Sequence, residues 1–385
     1  MATNNNDKTL NVPPLRFPEF SGEWEEEQLD SIATLSKGIG ISKEQLSEDG
    51  EPCILYGELY TKYKSEIIKQ VESKTDIDCS KLKRSKANDV IIPCSGETAV
   101  DIATARCVPF DNILLGGGLN IISLHKYDGA FMSYQLNGKR KYDIARVAQG
   151  VSVVHLYGEH LKAIKTYNPS LPEQQKIAKL LSLIDERIAT QNKIIEDLKK
   201  LKSAIRKKIF SLLKDEYTKS FEINQLLDYE QPTAYIVAND EYSTDTRLTP
   251  VLTANKGFIL GYTDEKNGIY QKGACIIFDD FTMDAKYVSF PFKVKSSAIK
   301  ILTAKPNVNL RFMFEYLSHW ELKSEEHKRH YISEISPLVI ELPSKEKQNI
   351  IALLMTSLNN KLTIEEKAKI RYEVQKGYLL SQMFI

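Results

Sequence analysis

Residues that would carry out a reaction unaided occur only as fragments of working motifs. Gly116-Gly-Gly118 has no Lys-Ser/Thr after it, and no GxxxxGK[ST] phosphate loop occurs in the chain, so the triplet reads as a turn. Asn168-Pro-Ser-Leu171 begins like the Asn/Asp-Pro-Pro-aromatic motif of adenine methylases but lacks the second proline and the ring. His327 and His330 can share a helix face, but the six histidines show no metal-ligand spacing. The five cysteines (Cys53, Cys79, Cys94, Cys107, Cys275) contain no CxxC pair and read as reduced thiols of a cytoplasmic protein. No serine sits in a nucleophile elbow. The expectation is a chain with no catalytic centre and no metal.

The chemistry that does recur is that of holding a nucleic acid. Phosphates call for Lys and Arg, and base edges for Arg, Lys, Asn, Gln, Ser or Thr on loops that can enter a groove. In the first half, Lys81-Leu-Lys-Arg-Ser-Lys86 supplies Lys81, Lys83, Arg84 and Lys86 just before an apolar stretch, and Ser95 and Thr98 follow it. Lys139, Arg140 and Lys141 form a second basic cluster, and Gln149-Gly-Val-Ser152 adds Gln149 and Ser152. In the second half the candidates are Thr253, Asn255, Lys256, Thr282, Lys328 and Arg329. Joining them is the acid-free run Lys286–Lys300, with Lys286, Lys293, Lys295, Ser296 and Ser297.

A repeat must position these residues. Leu161–Phe210 aligns without a gap onto Ile335–Phe384 at a constant offset of 174, matching Pro169 with Pro343, Gln174 with Gln348 and Ala178 with Ala352. Each copy predicts a long helix. Pro172 sits near the first start, where its missing N–H costs nothing. Ile177, Leu181, Ile184, Ile188, Ile195, Leu198 and Ile205 form one narrow apolar seam; Ile351, Met355, Leu358, Leu362, Tyr372 and Leu379 form the other. Neither helix buries its seam alone, so the two are expected to pair. Short apolar runs such as Asp89–Pro93, Asn120–Leu124, Ala274–Phe278 and Ser297–Leu302 read as strands of mixed α/β globules.

The resulting division is a disordered tail (1–14), a first globule (15–167), a central helix (168–216), a second globule (217–341) and a C-terminal helix (342–385). The fold class is α+β: two mixed α/β domains separated by two long antiparallel coiled-coil helices with pseudo-twofold symmetry. The globules differ in sequence, so two of them held by a stiff rod would read two unlike half-sites, with a spacer set by helix length.

The 385 residues carry a formal net charge of +1, so nucleic-acid binding has to come from local patches and not from the whole-molecule field. No apolar run reaches the ~20 residues that span a bilayer.

Leu15-Arg-Phe-Pro-Glu-Phe-Ser-Gly-Glu-Trp24, Asn168-Pro-Ser-Leu-Pro-Glu-Gln-Gln-Lys-Ile-Ala178 and Leu183-Ile-Asp-Glu-Arg-Ile188 resemble segments of type I restriction–modification specificity subunits. The second copy, Leu342–Ala352, is more divergent, with Asn359-Asn360 in place of the Asp-Glu pair. The resemblance implies that the globules are target-recognition domains reading an asymmetric bipartite site in double-stranded DNA. It implies two methyltransferase subunits bound largely through the helices, and two restriction/translocase subunits completing the nuclease. S-adenosylmethionine, ATP and magnesium are then expected on the partners and no cofactor on this chain. The competing readings are a self-contained DNA-modifying enzyme, which needs its own S-adenosylmethionine site, and a nucleic-acid scaffold without sequence preference.

Overall fold

A computed structural model describes residues 10–213, 219–253, 257–320 and 330–385. The chain divides into two compact units, residues 1–192 with 367–385, and residues 193–366.

The first unit opens with β1 (Glu25–Gln28), antiparallel to β11 (Lys165–Asn168), so the strand entering the unit pairs with the strand leaving it. The short helix α1 (Leu29–Ile32) leads into β2 (Ala33–Lys37). β2 is the edge of a four-stranded sheet of order β2-β9-β5-β7, with β9 (Leu119–Leu124), β5 (Asp89–Pro93) and β7 (Arg106–Val108). β5 is central because Val-Ile-Ile is buried on both faces, and the Pro93 ring stands at its end, where a missing N–H does least harm. A three-stranded sheet follows, with β3 (Glu51–Ile54) antiparallel to β4 (Ser73–Thr75) and parallel to β8 (Leu114–Leu115). The Gly116-Gly-Gly118 turn runs close against residues 38–40, and a Cβ at Gly38 would lie 2.0 Å from the Gly116 carbonyl oxygen. A small antiparallel pair, β6 (Ser95–Gly96) with β10 (Val154–His155), and the helices α2 (Glu58–Thr61), α3 (Ala99–Ile102), α4 (Gly129–Asn137), α5 (Lys141–Val147) and α6 (Gly158–Lys162) complete it.

The second unit repeats this plan with different residues. β12 (Lys219–Glu222) pairs with β20 (Val339–Leu342), and α8 (Ile223–Leu226) leads into β13 (Leu227–Glu230). The four-stranded sheet is β13-β19-β16-β17, with β19 (Ile299–Ala304), β16 (Cys275–Asp279) and β17 (Ala285–Val288). The three-stranded sheet has β14 (Thr249–Leu252) antiparallel to β15 (Ile259–Thr263) and parallel to β18 (Lys293–Val294). The helix α9 (Leu310–His319) occupies the place of α4.

The two long helices are α7 (Leu171–Leu213) and α10 (Lys345–Gln382). Each unit holds one end of both. In the first, Ile177 and Leu181 pack with Trp24, Phe131, Leu379 and Phe384; in the second, Ile205 and Phe210 pack with Ile351, Met355 and Leu358. The helix ends run antiparallel within each unit: Lys376 meets Asp185, and Lys199 meets Glu366. The apolar seam therefore serves a domain core at each end as well as its partner helix. The opening segment is clamped here too. Arg16 makes two 2.7 Å bonds to the buried Glu173, and Trp24 stands edge-on to Phe131 and Phe384. Trp24 N–H also donates to the Asn11 carbonyl, which fixes residues just ahead of Pro14; residues 1–9 of the expected tail lie outside the described ones.

The matched glutamines explain part of the repeat. The Gln174 side chain accepts the Asp128 N–H at 2.9 Å and donates to the Pro169 carbonyl at 2.8 Å. Gln348 does the same for Asn309 N–H and the Pro343 carbonyl, both at 2.9 Å. Asp128 and Asn309 are the N-caps of α4 and α9, so one buried amide ties the start of a long helix to the start of a domain helix in each unit. Gln174→Ala or Gln348→Ala strips a partner from a buried N–H and carbonyl together, and should cost about 1–3 kcal/mol by urea denaturation. A loss below about 0.5 kcal/mol would show that water replaces the amide.

Candidate nucleic-acid interface

The first unit gathers some of the expected contact residues and withdraws others. Ser95 and Ser152 line one cleft of about 600 Å³ together with Tyr56, Tyr60, Glu97 and Asp101. The Tyr60 hydroxyl donates to the Ser95 carbonyl, and burial pushes its pKa above the usual phenol range. Thr98 beside it caps α3, accepting the Asp101 N–H at 3.1 Å. Gln149 and His155 exchange two backbone bonds across a tight hairpin, at 2.9 and 2.7 Å, with Gly150 at φ +123°. Val151 at its tip is 96% exposed and Ser152 is also exposed.

Lys81 and Lys86 are exposed and Lys83 half-exposed. Arg84 is engaged by Glu51 in a two-bond pair at 2.6 and 2.9 Å, which holds the Glu51 carboxyl below its ordinary range. Lys139 is exposed and Lys141 half-exposed, whereas Arg140 faces inward. Its guanidinium lies 5.2 Å from the Tyr167 ring centre and donates to the Ile385 carbonyl at 2.9 Å.

In the second unit the basic run is not one surface. Lys286, Lys295, Ser296 and Thr282 are exposed and Ser297 is half-exposed, but Lys293 is 3% exposed. Its ammonium bonds Glu265 at 2.6 Å and the Asn267 carbonyl at 2.7 Å. Lys300 is likewise buried against Asp280, at 3.2 Å. The acid-free run Lys286–Lys300 is thus corrected as a set of surface candidates: β18 and the start of β19 are buried on both faces, so two of its four lysines lie inside, each against an acid from another segment. Thr253 is buried as well. Asn255, Lys256, Lys328, Arg329 and His327 lie outside the described residues. His330 is buried, with Nδ1 2.8 Å from Glu334.

Three side-chain groups were not singled out by sequence reasoning. Lys37, His125, His155, Tyr157, His160 and Lys162 gather beside β2 in the first unit. Glu66, Tyr134, Asp185 and Lys376 meet in its interior, and Arg206, Glu315 and Asn359 in that of the second unit. Only the alternation Thr34-x-Ser36-Lys37 would have pointed to the first. Burial pushes the thiols of Cys53 up to about 11 and of Cys107 and Cys275 up to about 12, which keeps them protonated and unreactive at neutral pH. Among the described residues no three His, Cys, Asp or Glu side chains form a ligand set, and no helix is long and apolar enough to cross a membrane.

The profile of the type I restriction modification DNA specificity domain matches residues 21–200 and 215–374. Among curated proteins, the EcoR124I/EcoR124II type I restriction enzyme specificity subunit of Escherichia coli is 39% identical over 178 residues, 41% of this chain and 43% of that protein. The chain therefore matches less than half the length of that relative. The putative MjaX specificity subunit of Methanocaldococcus jannaschii is 24% identical over 300 residues, 69% of this chain and 70% of that protein. A solved S subunit from M. genitalium superposes with a TM-score of 0.67 at 18% identity, covering 97% of this chain and 99% of that one, and so shares the fold. With the profile matched twice over most of its length and the same sheet order built twice, the chain belongs to the type I restriction modification DNA specificity domain family.

Proposed function

We propose that this chain is the DNA-reading specificity subunit of a type I restriction–modification complex, and that its two units are target-recognition domains for the two halves of an asymmetric site. The observation that carries the reading is a duplicated fold with unlike surfaces. The sheets have the same strand order, yet edge strand β2 ends in a basic, hydroxyl-rich face while its counterpart β13 carries Asp228 and Glu230. Equal scaffolds with unequal side chains read unequal sequences, because base contacts are made by individual side chains.

The reading places no chemistry on this chain. Adenine methylation belongs to two methyltransferase partners, and cleavage to two restriction/translocase partners, with S-adenosylmethionine, ATP and magnesium bound there, in the cytoplasm. Partner contact is supported by apolar side chains that α10 leaves in solvent, among them Leu353 (71% exposed) and Val374 (67%).

The test is methylation of bacterial DNA by the purified chain, with and without a cognate methyltransferase subunit, read by adenine-methylation sequencing. The expected result is no methylation by the chain alone, and methylation at one two-part motif when the partner is added. Adenine methylation by the chain alone overturns the proposal. Methylation with no two-part motif would favour the scaffold reading.

A further inference from the structure

Two clefts of the first unit meet on the edge strand β2. One is lined by Ser36 and Lys37 with Tyr157, His160 and Lys162. The other is lined by Thr34 and Ser36 with Lys83, Lys86 and His125. Ser36 belongs to both, so they form one trench along the strand, which at about 3.4 Å per residue is ~17 Å long.

The trench carries more positive than negative charge. Lys37, Lys83 and Lys86 have no carboxylate at ion-pair distance among the described residues. Of the acids nearby, Glu159 is paired with Lys162 at 2.8 Å and Glu51 with Arg84, and the buried Asp89 accepts the Lys86 N–H, so the excess positive charge rests on Lys37, Lys83 and Lys86. Hydroxyl and imidazole donors alternate with the cations. Thr34 Oγ1 lies 3.0 Å from His125 Nε2, and the exposed Tyr157 ring is flanked by His155 and His160, with Lys37 Nζ 5.7 Å from its centre. Lysines interleaved with hydroxyls along an extended line are the donors that grip a sugar–phosphate backbone, while offering little that distinguishes one base from another.

We propose that this trench holds the phosphate backbone of one DNA strand, fixing the first domain's register while other loops read the bases. The inference rests on the proposed role in DNA recognition. It is specific to the first domain. On β13, in the corresponding place, Glu230 is paired with Lys272 and Asp228 with Lys305, so that edge repels phosphate or is neutral to it. The second domain must hold its backbone elsewhere.

The experiment is the salt dependence of binding to a random-sequence 40-base-pair duplex by the chain assembled with its methyltransferase partner. Each lost phosphate contact lowers the slope of log K against log salt by about 0.9. A Lys37→Ala/Lys83→Ala/Lys86→Ala variant should flatten the slope by about 2–3, weakening binding at low salt at least tenfold while leaving the methylated motif unchanged. A Lys272→Ala/Lys305→Ala variant should leave the slope within about 0.5 of the parent. Thermal melts of both variants check that they remain folded. A parental slope in the trench variant overturns the trench assignment and leaves the specificity reading standing. Failure of the unsubstituted complex to bind DNA overturns both.

Discussion

Lys376→Ala should destabilise the first unit by about 3–5 kcal/mol, far more than the loss of one surface lysine, because it strands two buried carboxylates. Lys376 Nζ lies 2.6 Å from Glu66 and 2.7 Å from Asp185, and Tyr134 donates its hydroxyl to the other Asp185 oxygen at 2.7 Å. The side chains of Lys376, Glu66 and Asp185 are 16%, 9% and 5% exposed. This knot joins α10, α7, the loop carrying Glu66, and α4, so removing the lysine loosens the end of a long helix from the domain it docks on. Lys376→Met with Glu66→Gln and Asp185→Asn removes the charges together and should recover most of the loss. A single-variant loss under about 1 kcal/mol by urea denaturation would show that water reaches the carboxylates.

The pH dependence of that loss follows from two opposing shifts. Burial raises the Glu66 carboxyl above its ordinary 4.5, and Lys376 only partly offsets it. Burial would lower Lys376, but the two carboxylates outweigh it and hold the ammonium above 10.5. The lysine's contribution is therefore complete below that pH and is lost as pH rises through its folded value. In Lys376→Ala the Glu66 carboxyl rises further. The folded state then takes up a proton that the unfolded chain does not, and the deficit shrinks as pH falls from neutral towards 4.5.

What the sequence shows, and what it hides, divides along range of interaction. Pro169, Gln174 and the apolar seam are local signals repeated at Pro343 and Gln348, and they announce α7 and α10. The runs at Val90–Ile92 and Cys275–Phe278 announce the central strands because burial on both faces leaves nothing polar in them. The sharing of both helix ends by each unit is invisible locally, since it rests on contacts such as Glu66 with Lys376 across 310 positions. The inward turn of Lys293 and Lys300 is hidden for the same reason: their partners Glu265 and Asp280 are brought up by the sheets. The repetition of the sheets escapes sequence comparison because strand order is kept by burial alternation, which many residue sets satisfy, whereas the Gln174 bridge admits few.

Glu315→Ala should cost the second unit a similar ~3–5 kcal/mol, with the opposite response to pH. Glu315 stands six residues past the N-cap of α9, where Tyr134 stands on α4. Asn359 is the repeat partner of Asp185, and Lys202 of Lys376, each 174 residues away. The same place is thus wired with reversed charge. Glu315 is fully buried and accepts from Arg206 at 2.7 and 3.0 Å and from Asn359 at 3.3 Å, with Arg311 3.9 Å away. Its removal leaves Arg206, Arg311 and Lys202 facing one another. Burial already holds Lys202 below the usual 10.5, with Glu315 the opposing influence and the two arginines adding to burial. Without Glu315 it falls further. The unfolded chain then binds the proton that the folded one lacks, so the deficit shrinks as pH rises towards 10.5. Melting both alanine variants between about pH 5 and about pH 9 should give trends of opposite sign. Trends of the same sign would mean that the knots do not carry opposite net charge.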